Sequence, residues 1–366
     1  MAETNKFELL GLSLQELSAL MERLGQPAYR SRQLWQGLYR DRIASLDQFT
    51  TLPIPLREEL KSSGWAIAFP FVQKRFTSTD GTVRYLLQFS DGQSVETVWM
   101  PEGDGGEQGD GSEDGPSYDR ATICVSSQVG CAVDCQFCMT ALLGLLRNLS
   151  AGEIVGQILA VLKDENVDVE KSRINLVFMG QGEPFLNFDN FVKAVTLLAE
   201  AVGIPESRMT VSTSGIVPRI VDFGQLAIRP KLAISLNASN DESRRELMPI
   251  TKKWTLEKLM SAAREFPLRN RERMTFEYVL LGGVNDSEQN AREVVQLLRG
   301  LRAKVNLIAW NPGPEIPFST PDPQHVEAFQ QILIDAGIPT FIRKPRGRDI
   351  FAACGQLKRT ELVTLS

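Results

Sequence analysis

Hydrophobic residues in the first part of the chain recur every three or four positions, which is the spacing of amphipathic helices. Residues 1–65 are therefore predicted to form a small helical module. Ser13 and Glu16 make a capping box at the start of its first helix, and Gly25 ends that helix. A second helix is predicted over 28–41, where aromatic and aliphatic residues share one face.

The hydrophobic spacing then changes to that of strands, and from residue 121 strand-like and helical runs alternate. A three-stranded meander is predicted over 71–100, with an Asp-Gly pair at each turn. The later strand-like runs are 121–127, 174–180, 209–215, 232–237, 274–283 and 304–311. This alternation predicts an α/β fold of six βα units, either an open parallel sheet or a partial barrel. Polar and cysteine-rich motifs follow the strand ends, so the site is expected at the carboxyl ends of the strands.

The charge of the chain is unevenly distributed. The formal net charge is -5, yet no Lys or Arg occurs between Arg84 and Arg120, where nine acidic residues do. The rest of the chain has 40 basic and 36 acidic residues. It is therefore mildly basic, which allows an anionic partner. Most of the acid lies in the Gly-rich stretch 102–116, which is predicted to be a solvated insertion. Neither a membrane span nor a signal peptide is predicted, and we expect a cytoplasmic protein.

The thiols are the strongest chemical signal. The chain has five cysteines, too few for a disulfide framework, and a single histidine, His325, which excludes His-based metal triads and His-centred hydrolase triads. Cys131, Cys135 and Cys138 form a C-x₃-C-x₂-C motif that can hold three irons of a [4Fe–4S] cluster and leave the fourth iron open. An amino and a carboxylate group, as in S-adenosylmethionine, can chelate that iron. Zinc, with a fourth ligand from elsewhere, is the alternative.

The order of the motifs resembles the radical S-adenosylmethionine family and, within it, the RlmN/Cfr branch of RNA methyltransferases. The resembling stretches include VSSQVGCAVDCQFCMT, MGQGEP, VSTSGIVPRI, LAISLNASNDESRRELMPI and RKPRGRDIFAACGQL, in this order. The resemblance implies a partial (β/α)6 barrel over 121–345 and a C-terminal segment over 346–366 that carries a methyl-carrier cysteine. The helical module, 1–65, and the meander with its insertion, 66–120, precede them.

The resemblance also implies site residues, position by position in the matching motifs. The implied ligands of one [4Fe–4S] cluster are Cys131, Cys135 and Cys138. The implied contacts to S-adenosylmethionine are Gly182, Glu183, Ser212, Ser235, Leu236, Asn237 and Asn311. The implied catalytic residues are Cys354, which is itself methylated, Cys124, which resolves it, and Glu96, which accepts a proton. Three positions depart from the family pattern: Asn237 stands where His is usual, Gln181 where Met is usual, and Leu145 where an aromatic residue is common.

The activity implied by the resemblance is methylation of adenine C2 in 23S rRNA, in the peptidyl-transferase region, and in tRNA, beside the anticodon. One S-adenosylmethionine would methylate Cys354, and reductive cleavage of a second would form the radical that activates this S-methyl group. Cys124 would then release the product by forming a disulfide with Cys354. A flavodoxin or ferredoxin system is the expected reductant, and a monomer is the expected state.

Three other functions stay open at this point. The same machinery could be aimed at adenine C8, and a non-catalytic RNA-binding protein with a structural zinc belongs to another class. An iron–sulfur electron carrier is disfavoured, because a carrier needs every iron ligated. The candidate phosphate contacts for RNA are Arg343, Lys344, Arg346 and Arg348, with Arg244, Arg245, Lys252, Lys253 and the arginines of the helical module as weaker candidates.

Overall fold

The structure is a computed structural model that describes residues 7–101 and 120–357. The acidic insertion predicted at 102–116 and the end of the C-terminal segment, from residue 358, lie outside the described residues. The strands are β1 (Phe7–Glu8), β2 (Trp65–Ala66), β3 (Phe71–Thr77), β4 (Val83–Gln88), β5 (Ser94–Pro101), β6 (Arg120–Cys124), β7 (Gln128–Gly130), β8 (Leu145–Asn148), β9 (Arg173–Phe178), β10 (Met209–Thr213), β11 (Lys231–Ser235), β12 (Met274–Leu280), β13 (Ala303–Ala309) and β14 (Thr340–Ile342). The α-helices are α1 (Leu14–Arg23), α2 (Tyr29–Tyr39), α3 (Ile54–Ser62), α4 (Ala151–Asp164), α5 (Phe188–Leu197), α6 (Val217–Gly224), α7 (Asp241–Leu247), α8 (Leu256–Glu265), α9 (Glu288–Leu298) and α10 (Pro323–Asp335).

The N-terminal module forms where the helical spacing predicts it. Ser13 accepts a hydrogen bond from the Glu16 backbone at the start of α1, and the Glu16 carboxylate accepts one in return. Gly25 follows α1 in a left-handed conformation that glycine adopts without strain. The module docks on the barrel through backbone contact: a Cβ at Gly152 in α4 would lie 2.2 Å from the Leu10 carbonyl.

The predicted meander and the predicted βα units join in one sheet. Within the described ranges, ten strands are ordered β14-β13-β12-β11-β10-β9-β6-β5-β4-β3. In this order, each neighbouring pair of strands from β14 to β6 is parallel. The strands β5, β4 and β3 extend the sheet with antiparallel pairings. The β5–β6 pairing crosses the boundary predicted at residue 120, while the four-part division of the chain itself stays a prediction.

The α/β fold with a central parallel sheet is confirmed, with elements that the sequence did not predict. These are the helices α3, α6, α7 and α10, the β7–β8 hairpin and the edge strand β14. The helix α5 ends at Leu197, where a wider helical turn continues to Val202. No helix among the described residues is long and apolar enough to span a membrane.

Each predicted parallel strand ends two or three residues before its hydrophobic run does. The run 209–215, for example, leaves the sheet after Thr213, and the run 304–311 leaves it after Ala309. Residues past several of these ends, such as Ser214 after β10, line a cavity. The polar ends of the strand-like runs are therefore what positions the candidate site.

Candidate functional site

Two adjoining cavities lie at the carboxyl ends of the parallel strands. The larger has a volume of about 180 Å³ and is lined by the cysteine loop and by residues that follow β9, β10, β11 and β13. The smaller, of about 70 Å³, is lined by β5, β6 and the chain after β14. Residues that line both cavities are Met179, Ile308, Asn311, Arg343, Cys354 and Gly355. The two cavities therefore share one wall.

The three cysteines of the motif line the larger cavity together. Main-chain hydrogen bonds hold their loop: the Cys131 amide donates to the Gly144 carbonyl at 3.0 Å, and the Gln136 amide donates to the Leu247 carbonyl at 3.0 Å. The Trp310 indole donates to the Phe137 carbonyl, also at 3.0 Å. The loop is thus fixed by its backbone, which leaves the thiols free to act as ligands.

Burial raises the pKa of all three thiols, and it brings that of Cys131 to about 12. A thiol with a raised pKa still loses its proton when a metal ion binds to the sulfur. Among the described residues, no group of three or more His, Cys, Asp or Glu is arranged to hold a single metal ion. The ligands of a [4Fe–4S] cluster sit on different irons, so they stand farther apart than the ligands of one ion. Three soft sulfur donors on one cavity wall fit such a cluster.

Gly182 and Glu183 also line the larger cavity, in the loop that follows β9. Gly182 has a φ of +98°, and a Cβ there would lie 2.5 Å from the Gln128 side chain, so glycine is required. The buried Glu183 carboxylate accepts hydrogen bonds from the Ser214 amide at 2.6 Å and the Phe185 amide at 3.0 Å. Burial raises the pKa of Glu183, and this effect outweighs the hydrogen bonds, which lower it. The pair offers an oriented carboxylate to a ligand with an amino group.

Strand-end hydroxyl and amide groups complete the wall. Ser212 and Ser235 line the cavity with their hydroxyls 3.1 Å apart. Asn237 has a φ of +57°, a region that Asn and His both tolerate better than most residues. Its side-chain oxygen accepts from the Val279 amide at 2.9 Å, so it also holds the end of β12. Leu236 is fully buried in the core and does not line the cavity, in contrast to its neighbours.

Cys354 and Cys124 meet in the smaller cavity. Cys354 is exposed, and its carbonyl accepts a hydrogen bond from Asn311 at 3.4 Å. Burial raises the pKa of the Cys124 thiol to about 12, and the negative field of Cys354 contributes in the same direction. Cys354 also lines the larger cavity, so it borders both the cavity of the three cysteines and the cavity of Cys124. The structure thus brings all five cysteines of the chain to one place.

Glu96 lies in β5 on the same strand face as Val98 and Met100, which line the smaller cavity, but it lines neither cavity itself. Its carboxylate is 1% exposed and forms an ion pair with the buried Arg84. Gln181 also donates to it, at 3.3 Å. A proton acceptor at Glu96 would therefore act from behind the cavity wall.

The basic residues predicted to contact RNA fall into different environments. Arg343 and Lys344 line the smaller cavity. Arg346 is bound by the β3–β4 turn, with its Nε 3.3 Å from an Asp80 carboxylate oxygen. The interpretation of Arg244 as a phosphate contact is wrong, because its side chain is completely buried among backbone carbonyls.

Cavity residues that sequence reasoning missed include Glu277, Met248 and Trp310. Glu277 is a carboxylate inside the otherwise apolar run of β12, which is a signal that could have indicated it. It accepts a hydrogen bond from the Asn306 side chain at 2.9 Å. Met248 and Trp310 are apolar residues that give no such signal, since core positions use the same types.

Comparison with known proteins agrees with this geometry. Residues 125–295 match the model of the radical SAM superfamily, and residues 7–64 match that of the ribosomal RNA large subunit methyltransferase N-terminal domain. A dual-specificity RNA methyltransferase RlmN of Rhodospirillum rubrum is 44% identical over 97% of this chain and 81% of its own length. The RlmN of Campylobacter jejuni is 44% identical over 93% of this chain and 96% of its own. The crystal structure of a radical SAM methyltransferase from Sphaerobacter thermophilus superposes with a TM-score of 0.86, at 40% identity over 96% of this chain and 99% of that one.

Proposed function

The chain belongs to the RlmN family of radical SAM RNA methyltransferases, and on that premise we propose that it methylates adenine C2 in 23S rRNA and in tRNA. The methyl group would pass through Cys354. The observation that carries this proposal is the meeting of all five cysteines at two cavities that share one wall. Three thiols could hold a cluster there, a fourth could carry carbon, and a fifth, in the wall of the smaller cavity, could release it.

The residues of the larger cavity would bind both cofactors. Cys131, Cys135 and Cys138 would hold the [4Fe–4S] cluster, which supplies the electron that cleaves S-adenosylmethionine when both are bound. Gly182 allows its loop to pack closely against Gln128, and Glu183 would accept a hydrogen bond from the amino group of the ligand. The hydroxyls of Ser212 and Ser235 and the amide of Asn311 would bind the remainder of the ligand, as polar groups at strand ends do in barrel enzymes.

Cys354 would act first as a nucleophile. Its thiolate sulfur forms a bond to the methyl carbon as the sulfonium–carbon bond breaks, and the thiol proton leaves to solvent. After the carbon is joined to the base, Cys124 would attack the Cys354 sulfur. A disulfide forms, and the carbon–sulfur bond breaks with its electron pair going to carbon, which takes up a proton. Glu96 would accept the proton that leaves the ring carbon.

RNA would reach this site with its target base unstacked, since the reacting groups lie inside cavities. Arg343 and Lys344, in the wall of the smaller cavity, are the phosphate contacts that its lining supports best. A flavodoxin or ferredoxin system would supply electrons to a monomeric enzyme. RNA substrates and a reaction that depends on reduced thiols together support a location in the cytoplasm.

The test is to reconstitute the protein anaerobically with iron and sulfide and to incubate it with S-adenosylmethionine, a reductant and unmodified ribosomal and transfer RNA. The nucleosides are then separated and identified by mass spectrometry. We expect 2-methyladenosine from both RNAs. Formation of 8-methyladenosine would reassign the target carbon, and one zinc per chain with no methylated Cys354 would support a binding protein instead.

A further inference from the structure

Among the described residues, three arginine side chains are buried from water: Arg84, Arg229 and Arg244. A buried guanidinium ordinarily pairs with a carboxylate, because an isolated charge is costly to remove from water. Arg84 pairs with Glu96, and Arg229 lies 3.0 Å from Glu272. Within the described chain, Arg244 differs from both, since each of its hydrogen bonds goes to a neutral oxygen.

The neutral acceptors place Arg244 directly behind the wall of the larger cavity. Its Nη2 donates to the carbonyls of Ser214 at 2.7 Å and Ser235 at 3.0 Å, and both serines line that cavity. Its Nε donates to the Leu236 carbonyl at 2.9 Å, and its Nη1 donates to the Thr251 hydroxyl at 2.9 Å. The guanidinium thus joins the ends of β10 and β11 and carries its charge one residue layer from the cavity.

The same charge acts on the cysteine loop. Arg244 lies one turn before Leu247 in α7, and the Leu247 carbonyl accepts from the Gln136 amide in that loop. Burial lowers the pKa of Arg244 to about 10, and the fields of Cys135 and then Asp241 oppose this shift. Arg244 therefore stays positively charged at neutral pH. Asp241 contributes through space, without a hydrogen bond to the guanidinium.

We propose that Arg244 is the counter-charge of the iron–sulfur cluster and raises the potential at which the cluster accepts its electron. The inference rests on the proposed function, because it requires the cluster on Cys131, Cys135 and Cys138. Three thiolates give an oxidised [4Fe–4S] cluster a net negative charge, and one-electron reduction adds another. A fixed positive charge nearby stabilises the reduced form more than the oxidised form. Net charge and hydrogen bonding are the main protein influences on such potentials.

The test compares the midpoint potential of the reconstituted protein with that of Arg244→Gln, followed by electron paramagnetic resonance during a redox titration. Glutamine keeps a hydrogen-bonding amide and removes the charge. At the potential where half of the wild-type cluster is reduced, we expect the ratio of reduced to oxidised cluster to fall roughly tenfold. The matched control is Arg229→Gln, which removes an equally buried charge that has its own carboxylate. We expect that variant to lose thermal stability with no change in potential.

Two further variants keep the test decisive if Arg244→Gln does not fold. Thr251→Asp leaves Arg244 in place and gives it a carboxylate, so the potential should fall in the same direction. Arg244→Lys keeps the charge, so its potential should stay close to that of the wild type. Unchanged potentials in Arg244→Gln or, failing that, in Thr251→Asp would overturn the inference. A wild-type protein that binds no cluster would instead overturn the proposed function.

Discussion

The loop of the three cysteines and the segment of Cys354 border the same cavity but are held in place differently. Main-chain groups hold the cysteine loop, as in the bonds from Cys131 to Gly144 and from Gln136 to Leu247. The segment from Arg343 to Leu357, which we call the carrier segment, accepts a main-chain hydrogen bond from the Met139 amide at the Gly355 carbonyl, but it depends more on side chains than the cysteine loop does. Those of the β3–β4 turn and Thr140 reach it, and its own Gln356 donates to the Pro312 carbonyl at 2.7 Å.

The contacts from the β3–β4 turn show how the carrier segment is fixed. One Asp80 carboxylate oxygen accepts from the Gly347 amide at 3.0 Å and lies 3.3 Å from Arg346 Nε. In the opposite direction, the Asp349 carboxylate accepts from Ser78 and from the Thr79 amide. Backbone bonds survive most single substitutions, whereas side-chain bonds do not. The carrier segment is therefore the part of the site that single surface changes should disturb most.

The largest effect should come from Cys354→Ala. We expect this variant to bind iron and to cleave S-adenosylmethionine as the wild type does, because the cysteine loop does not depend on the Cys354 thiol. RNA methylation should fall below detection, since no sulfur remains to carry the methyl group. Iron content, deoxyadenosine release and methylated nucleosides measure the three properties. Methylated RNA from Cys354→Ala would disprove the carrier role.

The next largest effect should come from Cys124→Ala. The carbon bound to Cys354 would reach the base, but no thiol would be available to release it, because Cys124 is the described cysteine that shares the smaller cavity with Cys354 and the other three would hold the cluster. We expect covalent protein–RNA adducts to accumulate and turnover to fall by at least about 100-fold. Gel electrophoresis under denaturing conditions detects the adduct. Free product at the wild-type rate would show that another group resolves Cys354.

A smaller effect should distinguish substitutions of Asp80 and Asp91, which lie in the two Asp-Gly turns of the meander. The Asp80 carboxylate accepts from the Thr82 amide at 2.9 Å, and the Asp91 carboxylate accepts from the Gln93 amide at 3.0 Å, so both stabilise their own turns. Asp80 also reaches Gly347, while Asp91 reaches Arg147 instead.

Asp80→Asn should slow RNA methylation roughly tenfold through misplacement of the carrier segment. Asp91→Asn is the matched control and should leave the rate within about twofold. Hydrogen exchange of residues 346–357 provides the independent readout, and it should rise in Asp80→Asn alone. Equal rates in the two variants would mean that the β3–β4 turn does not position Cys354.

The smallest effect concerns pH. Burial opposes ionisation of Asp80, but hydrogen bonds from Thr82 and Gly347 outweigh it and lower its pKa from 3.8 to about 2. A carboxyl group with a lowered pKa stabilises the fold above its unfolded pKa and loses that contribution as pH falls through its folded pKa. Asp80→Asn should therefore be less stable than the wild type at neutral pH, and the difference should shrink between pH 3.8 and about 2. Urea unfolding of both proteins at several pH values measures it, and a constant difference would contradict the assignment.

The features that could be predicted from the sequence are local: caps, turns, strands and motifs formed by residues close together in the chain. The capping box of Ser13, the meander turns and the six parallel strands lie where the spacing predicts them, because each depends on residues near one another in the chain. The thiol motif and the Gly182–Glu183 pair were likewise visible as short patterns. Arg244 was misread as a surface cation because nothing in the local sequence indicates that α7 faces inward.

The sequence by itself determined the α/β alternation, the helix caps, the cysteine chemistry and, through its motifs, the family. The tertiary structure decided that the meander continues the barrel sheet, that the polar ends of the strand-like runs leave the ladder, and that Cys354 lies beside Cys124 although 230 positions separate them. It also decided which buried arginine has no carboxylate partner among the residues that the structure describes. Hydrophobic periodicity encodes which face of an element is buried, whereas the partner of a buried charge or thiol depends on the packing of distant elements.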